Sequence, residues 1–450
     1  MESPAVKPAD DGPTVMDRAD VEARIRRSFD GRVLPLMCGL YVCSYLDRGN
    51  MGNAKTAGAQ EALGLDSGRW TWVLNSFYAC YVLFEWTTML WRILPASNFV
   101  STLCLCWGAA AMSSGAARNF GELIVTRCLL GVFEAAFGSG APYFLSLLYK
   151  RRELALRMSL LLGMMPLANT FASSLAYGIT QIRASIEPWR LLFIIEGSFS
   201  IVLAPLVYLL LIDSPATAPF LSAEEQMVAV QRLQLRDSTA RRGVQWQQVL
   251  AGLSDGKTYV HAAIHFCANY SFAALSNFLP TIVHDMGYDA VSSQGLTAPA
   301  YFAAFLLCVA TSYLSDRTGR RGVMLAGSAA VAVVGYGLLV GCRQAGARYL
   351  NNQGGDSKGV LAWLFFLTLG QCSSFVSSAV FPKSDAPFYI RGCAVGCGLA
   401  GLMLVLALGM HIVLETENRR RDRVSGPVDA EGEVDVTEEG DGHEAFRYVT

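Results

Sequence analysis

The chain has 450 residues, of which 52% are hydrophobic and only 16% charged, and its formal net charge is -1. A soluble domain carries about 25% charged residues, so this composition, with a mean hydropathy of +0.34, excludes a water-soluble globule. A nucleic-acid binder shows a basic excess, and the near-zero charge excludes that class as well.

Taken in order, residues 1–31 are polar, with Arg24, Arg26 and Arg27 ahead of the first apolar run. This reads as an uncleaved cytoplasmic tail (1–32) rather than a signal peptide. Crossing roughly 30 Å of hydrocarbon takes about 20 mostly apolar residues. On that ruler the first half (33–213) holds six spans, at 33–53, 70–91, 99–117, 121–149, 158–180 and 189–212. A polar stretch, 214–257, follows and reads as a cytoplasmic linker. It contains Ser222 and Glu225, a capping-box pair that opens a helix. The second half (258–414) shows spans at 258–279, 296–314, 323–342, 360–381 and 392–414, and residues 415–450 read as a disordered tail.

Short basic loops fix the orientation. Lys150, Arg151, Arg152 and Arg157 surround one connection, Arg317, Arg320 and Arg321 another, whereas 280–295 holds no Lys or Arg. These put the N-terminus, the linker and the basic loops in the cytoplasm. Eleven spans then leave the C-terminus outside, yet Arg419, Arg420 and Arg421 just after the last span belong inside. The hydrophilic stretch 351–358 cannot cross lipid, so the parity is wrong by one helix. The 12 cysteines lie mostly in apolar runs without Cys-x-x-Cys pairs, so neither a metal nor a disulfide framework is expected, and no cofactor.

The segment Ser312-Tyr-Leu-Ser-Asp316-Arg317-Thr-Gly319-Arg320-Arg321 sets an acid among arginines at a helix end. Such a group can pair in one conformation and release in another, a latch for alternating access; the alternative is a solvated basic loop. It resembles the loop Gly-x-Leu-x-Asp-Arg-x-Gly-Arg-Arg of the major facilitator superfamily, with Ser312 in place of the first glycine. In the first half, 91–98 has lost the acid and most of the bases. Tyr45-Leu46-Asp47-Arg48-Gly49-Asn50, Arg127-Cys-Leu-Leu-Gly131-Val-Phe-Glu134, Trp189-Arg190 with Glu196-Gly197, Phe381-Pro-Lys-Ser-Asp385 and Asn418-Arg-Arg-Arg-Asp422 resemble the fungal branch of the anion:cation symporter family, the allantoate, nicotinate and pantothenate permeases. Glu85 departs from it, being followed by Trp86-Thr87-Thr88. The resemblance implies an all-α membrane protein of two six-helix halves, here with the tenth, cavity-lining helix missing. It also implies a monomer in the lipid bilayer, by default the plasma membrane.

An ionisable group at membrane depth costs at least about 2.5–3.5 kcal/mol, so each needs a partner or a purpose. Arg127 suits an organic anion, because a guanidinium forks onto a carboxylate; otherwise it is a structural ion pair. Glu134, two turns on along the same face, is either a proton carrier or a packing residue. Asp47 and Arg48 share a role in binding or gating, and Asn269 is a further candidate for ligand contact. Arg190 and Glu196 lie on a span that packs outside the cavity in that fold and read as structural. Glycines 131, 138 and 140 read as close helix contacts. The leading reading is a proton-coupled carrier of small organic anions, with Arg127, Asp47, Arg48 and Asn269 on the substrate, Glu134 on the proton, and Asp316, Arg317, Gly319, Arg320 and Arg321 as the gate. The alternatives are an exporter of a fungal secondary metabolite and a non-transporting, degenerate protein lacking one helix. No phosphate loop, nucleophile elbow or metal cluster points to an enzyme.

Overall fold

The structure, a computed structural model, describes residues 18–182, 185–240, 256–285, 287–318 and 321–341, then 373, 376–377, 380–381, 385–386 and 389–425. Regular structure among these is helical: α1 (Arg18–Thr56), the single turn α2 (Ala59–Ala62), α3 (Ser67–Phe84), α4 (Ala96–Ser114), α5 (Phe120–Ser146), α6 (Arg151–Thr180), α7 (Pro188–Leu210) and α8 (Ala223–Ala240), then α9 (Gly256–Asp285), α10 (Ala290–Thr318), α11 (Arg321–Gly341) and α12 (Ile390–Ser425). Among the described residues four segments, Leu156–Thr180, Pro188–Leu210, Gly295–Ser315 and Ile390–Val424, are long and apolar enough by themselves to cross a membrane. α1 and α5 carry four of the buried ionisable residues, Asp47, Arg48, Arg127 and Glu134.

Several boundaries differ from those read off the sequence. α1 starts at Arg18, so much of the expected tail is a continuation of the first span. Ile25 and Phe29 bury there completely, and Glu22, Arg26 and Asp30 pair with Lys150, which precedes α6, and with Glu153 and Arg157 in its first turns. α12 continues past residue 414 to Ser425, in place of a disordered tail from 415. Glu415–Arg419 and Glu417–Arg421 pairs at i,i+4 prolong that helix. The span expected over 70–91 is α-helical only to Phe84 and tightens into a 3-10 helix from Glu85 to Arg92. The capping box forms: Glu225 N–H donates to Ser222 Oγ (3.2 Å) and Ser222 N–H to Glu225 Oε2 (2.9 Å). The linker helix that it opens docks on the first half through Arg232. This guanidinium donates to Glu153 Oε2 (2.7 Å) and to the Leu148 carbonyl.

Helix directions answer the parity problem. α6 and α10 pack antiparallel, Gly163 lying beside Phe305 and Gly295 beside Tyr177. The basic start of α6 and the basic end of α10 therefore share one face. α12 runs antiparallel to α11, with His411 against Gly322 and Gly396 against Tyr336. It is antiparallel to α9 as well: Tyr389 bonds Asp285 at one end, and Lys257 borders Thr416 and Glu417 at the other. Arg419 to Arg421 thus emerge on the face that carries the other basic loops, as the positive-inside bias asks. Gly341 and Tyr389 both lie toward the opposite face. The expected span 360–381 and the hydrophilic stretch 351–358 fall largely or wholly outside the described residues. Within 360–381, Ser373 accepts from Asn269 (3.4 Å) and Phe381 stacks on Phe278.

Candidate functional site

The centre of the bundle is set by small residues that admit close helix approach. A side chain at Gly131 of α5 would strike the Phe77 carbonyl of α3, one at Gly138 the Tyr81 hydroxyl, and one at Gly140 the Trp91 ring. α5 therefore lies hard against α3 and the 3-10 turn, which brings Arg127 and Glu134 up to the residues of α1.

Asp47 and Arg48 are neighbours in sequence, but successive helical residues point about 100° apart, and here they part company. Arg48 turns towards α3 and α5. Its Nη2 and Nε donate to Glu134 Oε2 at 3.2 and 3.3 Å, and its guanidinium lies over the rings of Tyr45, Phe77 and Tyr81 at 4.6, 5.2 and 4.6 Å. A cation enclosed by ring faces and one carboxylate is well held in a low-dielectric interior. Asp47 turns towards α7, where Ser200 Oγ donates to its Oδ2 (3.0 Å).

Arg127 is 1% exposed. Its Nη1 donates to the backbone carbonyl of Asp47 (3.2 Å), it lies over the Phe193 ring at 5.0 Å, and its Nε–H has no hydrogen-bond partner among the described residues. Among the described residues no ion pair holds it there. Arg48 and Arg127 both border a cavity of about 10 Å³, lined also by Met51, Val73, Leu74, Phe77, Tyr78 and Asn277. That is room for about one water, with residues of both halves on its wall. The halves meet in a contact from Asn277 Nδ2 of α9 to the Tyr78 hydroxyl of α3 (3.1 Å).

Of the residues singled out from sequence, Asp47, Arg48, Arg127 and Glu134 are brought together. Asn269 is not among the cavity-lining residues; it is Asn277, about two turns further along α9, that reaches it. In the expected gate, Arg317 is exposed with its guanidinium over Tyr313. Asp316 and Arg321 lie in α10 and α11, while Gly319 and Arg320 fall outside the described residues. Arg190 caps the end of α4, donating to the carbonyls of Gly115 and Ala117 at 3.0 and 2.7 Å. Sequence reasoning passed over Ser200 and the ring cage. The only local signal for Ser200 is its place one turn beyond Glu196 on the same helix face.

The family model described as Major Facilitator Superfamily matches residues 37–410. The chain belongs to the major facilitator superfamily. It is 32% identical to the MFS-type transporter efuF of Hormonema carpetanum, over 92% of this chain and 89% of that one. It is 27% identical to the high-affinity nicotinic acid transporter of Saccharomyces cerevisiae, over 95% and 85%. The partially occluded inward-open xylose transporter XylE from E. coli superposes with a TM-score of 0.59 at 12% identity, over 83% of this chain and 96% of that one, a likeness of fold alone. This superfamily member is a multi-pass membrane transporter and not an enzyme.

Proposed function

We propose that this transporter is a proton-coupled carrier of small organic anions, of the carboxylate class, working by alternating access across the plasma membrane. One observation carries the reading: Arg127 borders a small cavity between the halves as a buried cation with no carboxylate within salt-bridge distance among the described residues and an Nε–H left without a partner. A guanidinium with an unengaged N–H edge recognises a planar carboxylate by two parallel hydrogen bonds. Beside it, the Arg48 charge is already met by Glu134. A proton arriving on Glu134 frees Arg48, which couples proton entry to anion capture. Asn277 and Tyr78 separate when the halves open, and the Asp316–Arg321 loop is the latch on the basic face. Likeness to a nicotinic acid transporter makes nicotinate the first probe.

The test is uptake of labelled nicotinate, followed by a panel of carboxylates, into proteoliposomes with an imposed inward proton gradient. Accumulation that collapses with the gradient is expected. Arg127→Gln should abolish it and Arg127→Lys reduce it more than tenfold, because an ammonium cannot fork. Absence of flux for every carboxylate, with the gradient in either direction, would sink the reading.

A further inference from the structure

Glu196 reads from sequence as a structural residue, yet its surroundings supply no structure for it to serve. It lies on α7, is 1% exposed, and neither carboxyl oxygen has a hydrogen-bond partner among the described residues. Asp47 of α1 and Arg127 of α5 lie within electrostatic reach of it, as does the thiol of Cys43 on α1. From α4, the Cys104 thiol bonds the Ser200 carbonyl one turn further along α7. The charged residues of α6 sit in its first turns, at the opposite end of the bundle from the start of α7. α7 is held in place where a side chain at Gly197 would meet Met112 N at 2.6 Å and Gly108 O at 2.7 Å.

We propose that Glu196 and Asp47 share one proton across the Ser200 hydroxyl, with Arg127 as their counter-charge, so that Glu196 is a proton-holding residue of the carrier. The charge balance requires it. Arg48 and Glu134 neutralise each other and Glu85, also buried, lies by Tyr81, which leaves two carboxyls and one guanidinium around Ser200. A bare carboxylate without hydrogen bonds is expensive at membrane depth, and a single proton makes the group of three neutral. Ser200 lies four residues beyond Glu196 on the same helix face and already donates to Asp47 Oδ2. The exchange requires a Glu196 rotamer that reaches Ser200 Oγ. The Glu196 O–H bond then breaks as its proton passes to Ser200 Oγ, while the Ser200 hydroxyl proton moves to Asp47 Oδ2. The result is an ionised Glu196, a neutral Asp47 and an intact serine.

This deepens, and rests on, the reading of the site as an anion carrier. When a monovalent carboxylate engages Arg127, the counter-charge is spent and neutrality requires a second proton on the Asp47–Glu196 pair. Anion capture at Arg127 is thereby tied to a proton on this pair, as capture at Arg48 is to a proton on Glu134.

The first measurement needs no substrate: infrared spectra of the purified protein in lipid at neutral pH, in the carbonyl-stretch region of protonated carboxyls. Glu196→Gln should remove one such band, and Asp47→Asn should remove the same band, since either change leaves one carboxylate facing one guanidinium. Glu187→Gln, an exposed partner of Arg190, should leave it. Unfolding temperatures keep the result open to refutation. If Glu196 is neutral, Glu196→Gln and Glu196→Leu both stay within a few degrees of the parent. A spectrum unchanged in Glu196→Gln, or marked destabilisation by both variants, overturns the proposal. The second measurement is the pH profile of nicotinate uptake, expected to flatten in Glu196→Gln. Failure of nicotinate to move at all counts against the carrier reading and leaves the spectral result standing.

Discussion

The N-terminal half buries Asp47, Arg48, Glu85, Arg127, Glu134 and Glu196. Among the described residues, α9 to α12 bury no Asp, Glu, Lys or Arg. Their interior polar groups are neutral: the Asn277 amide, the hydroxyls of Thr281, Ser293 and Thr297, and the phenols of Tyr270, Tyr301, Tyr336 and Tyr389. Separating buried charges from their partners is costly, whereas neutral hydrogen bonds are worth about 1 kcal/mol each. If alternating access opens the seam between the halves, as proposed, keeping the charges on one side of that seam lowers the cost of opening. Arg48 and Glu134 both move with the first half, and only contacts such as Asn277–Tyr78 have to break.

The severest test of this contrast is Glu134→Ala. It strands Arg48 among Tyr45, Phe77 and Tyr81, and should cost about 3–5 kcal/mol, read as a lowered unfolding temperature in detergent. The double change Arg48→Met with Glu134→Leu should recover most of the loss. Arg232→Ala comes next. It removes the charge-assisted bonds that fasten α8 to Glu153 and Leu148, at about 1.5–3 kcal/mol, and faster amide exchange confined to residues 223–240 checks it. Gly131→Ala pushes α3 off α5 and should cost about 1–3 kcal/mol by overpacking, with a matching fall in unfolding temperature. The smallest effect belongs to the seam. Asn277→Ala removes about 1 kcal/mol from the closed state, near a fivefold shift in the open population, measurable as thiol accessibility of Met51→Cys at the cavity wall. A loss of several kcal/mol there instead would mean that the seam is no weaker than the interior of the first half.

Much of this was legible residue by residue. Apolar runs long enough to cross a bilayer are local properties, so helices stand over most of the expected runs, and Ser222 with Glu225 announced the helix at 223–240. Where boundaries moved, the cause was tertiary. Residues 18–32 read as tail because their charges face water in isolation, but Lys150, Glu153 and Arg157 are one helix away. The chain likewise displayed Arg127 and Glu134 as charges in want of partners. It could not show that Arg48 had claimed Glu134, or that Asn277 rather than Asn269 reaches the cavity, since an amide two turns along the same helix offers the same local pattern.

Sequence by itself determined that this protein lies in a membrane, that a polar stretch interrupts its apolar runs, and which buried charges it had to accommodate. Composition and run length decide transfer into lipid, and those are sums over neighbouring residues. Tertiary structure alone decided which charges pair, which stays unmatched, and on which face the last helix ends. Asp47 and Arg48 show why. One peptide bond joins them, yet the helix turns one towards Ser200, 153 residues away, and the other towards Glu134, 86 residues away, and only packing sets those partners.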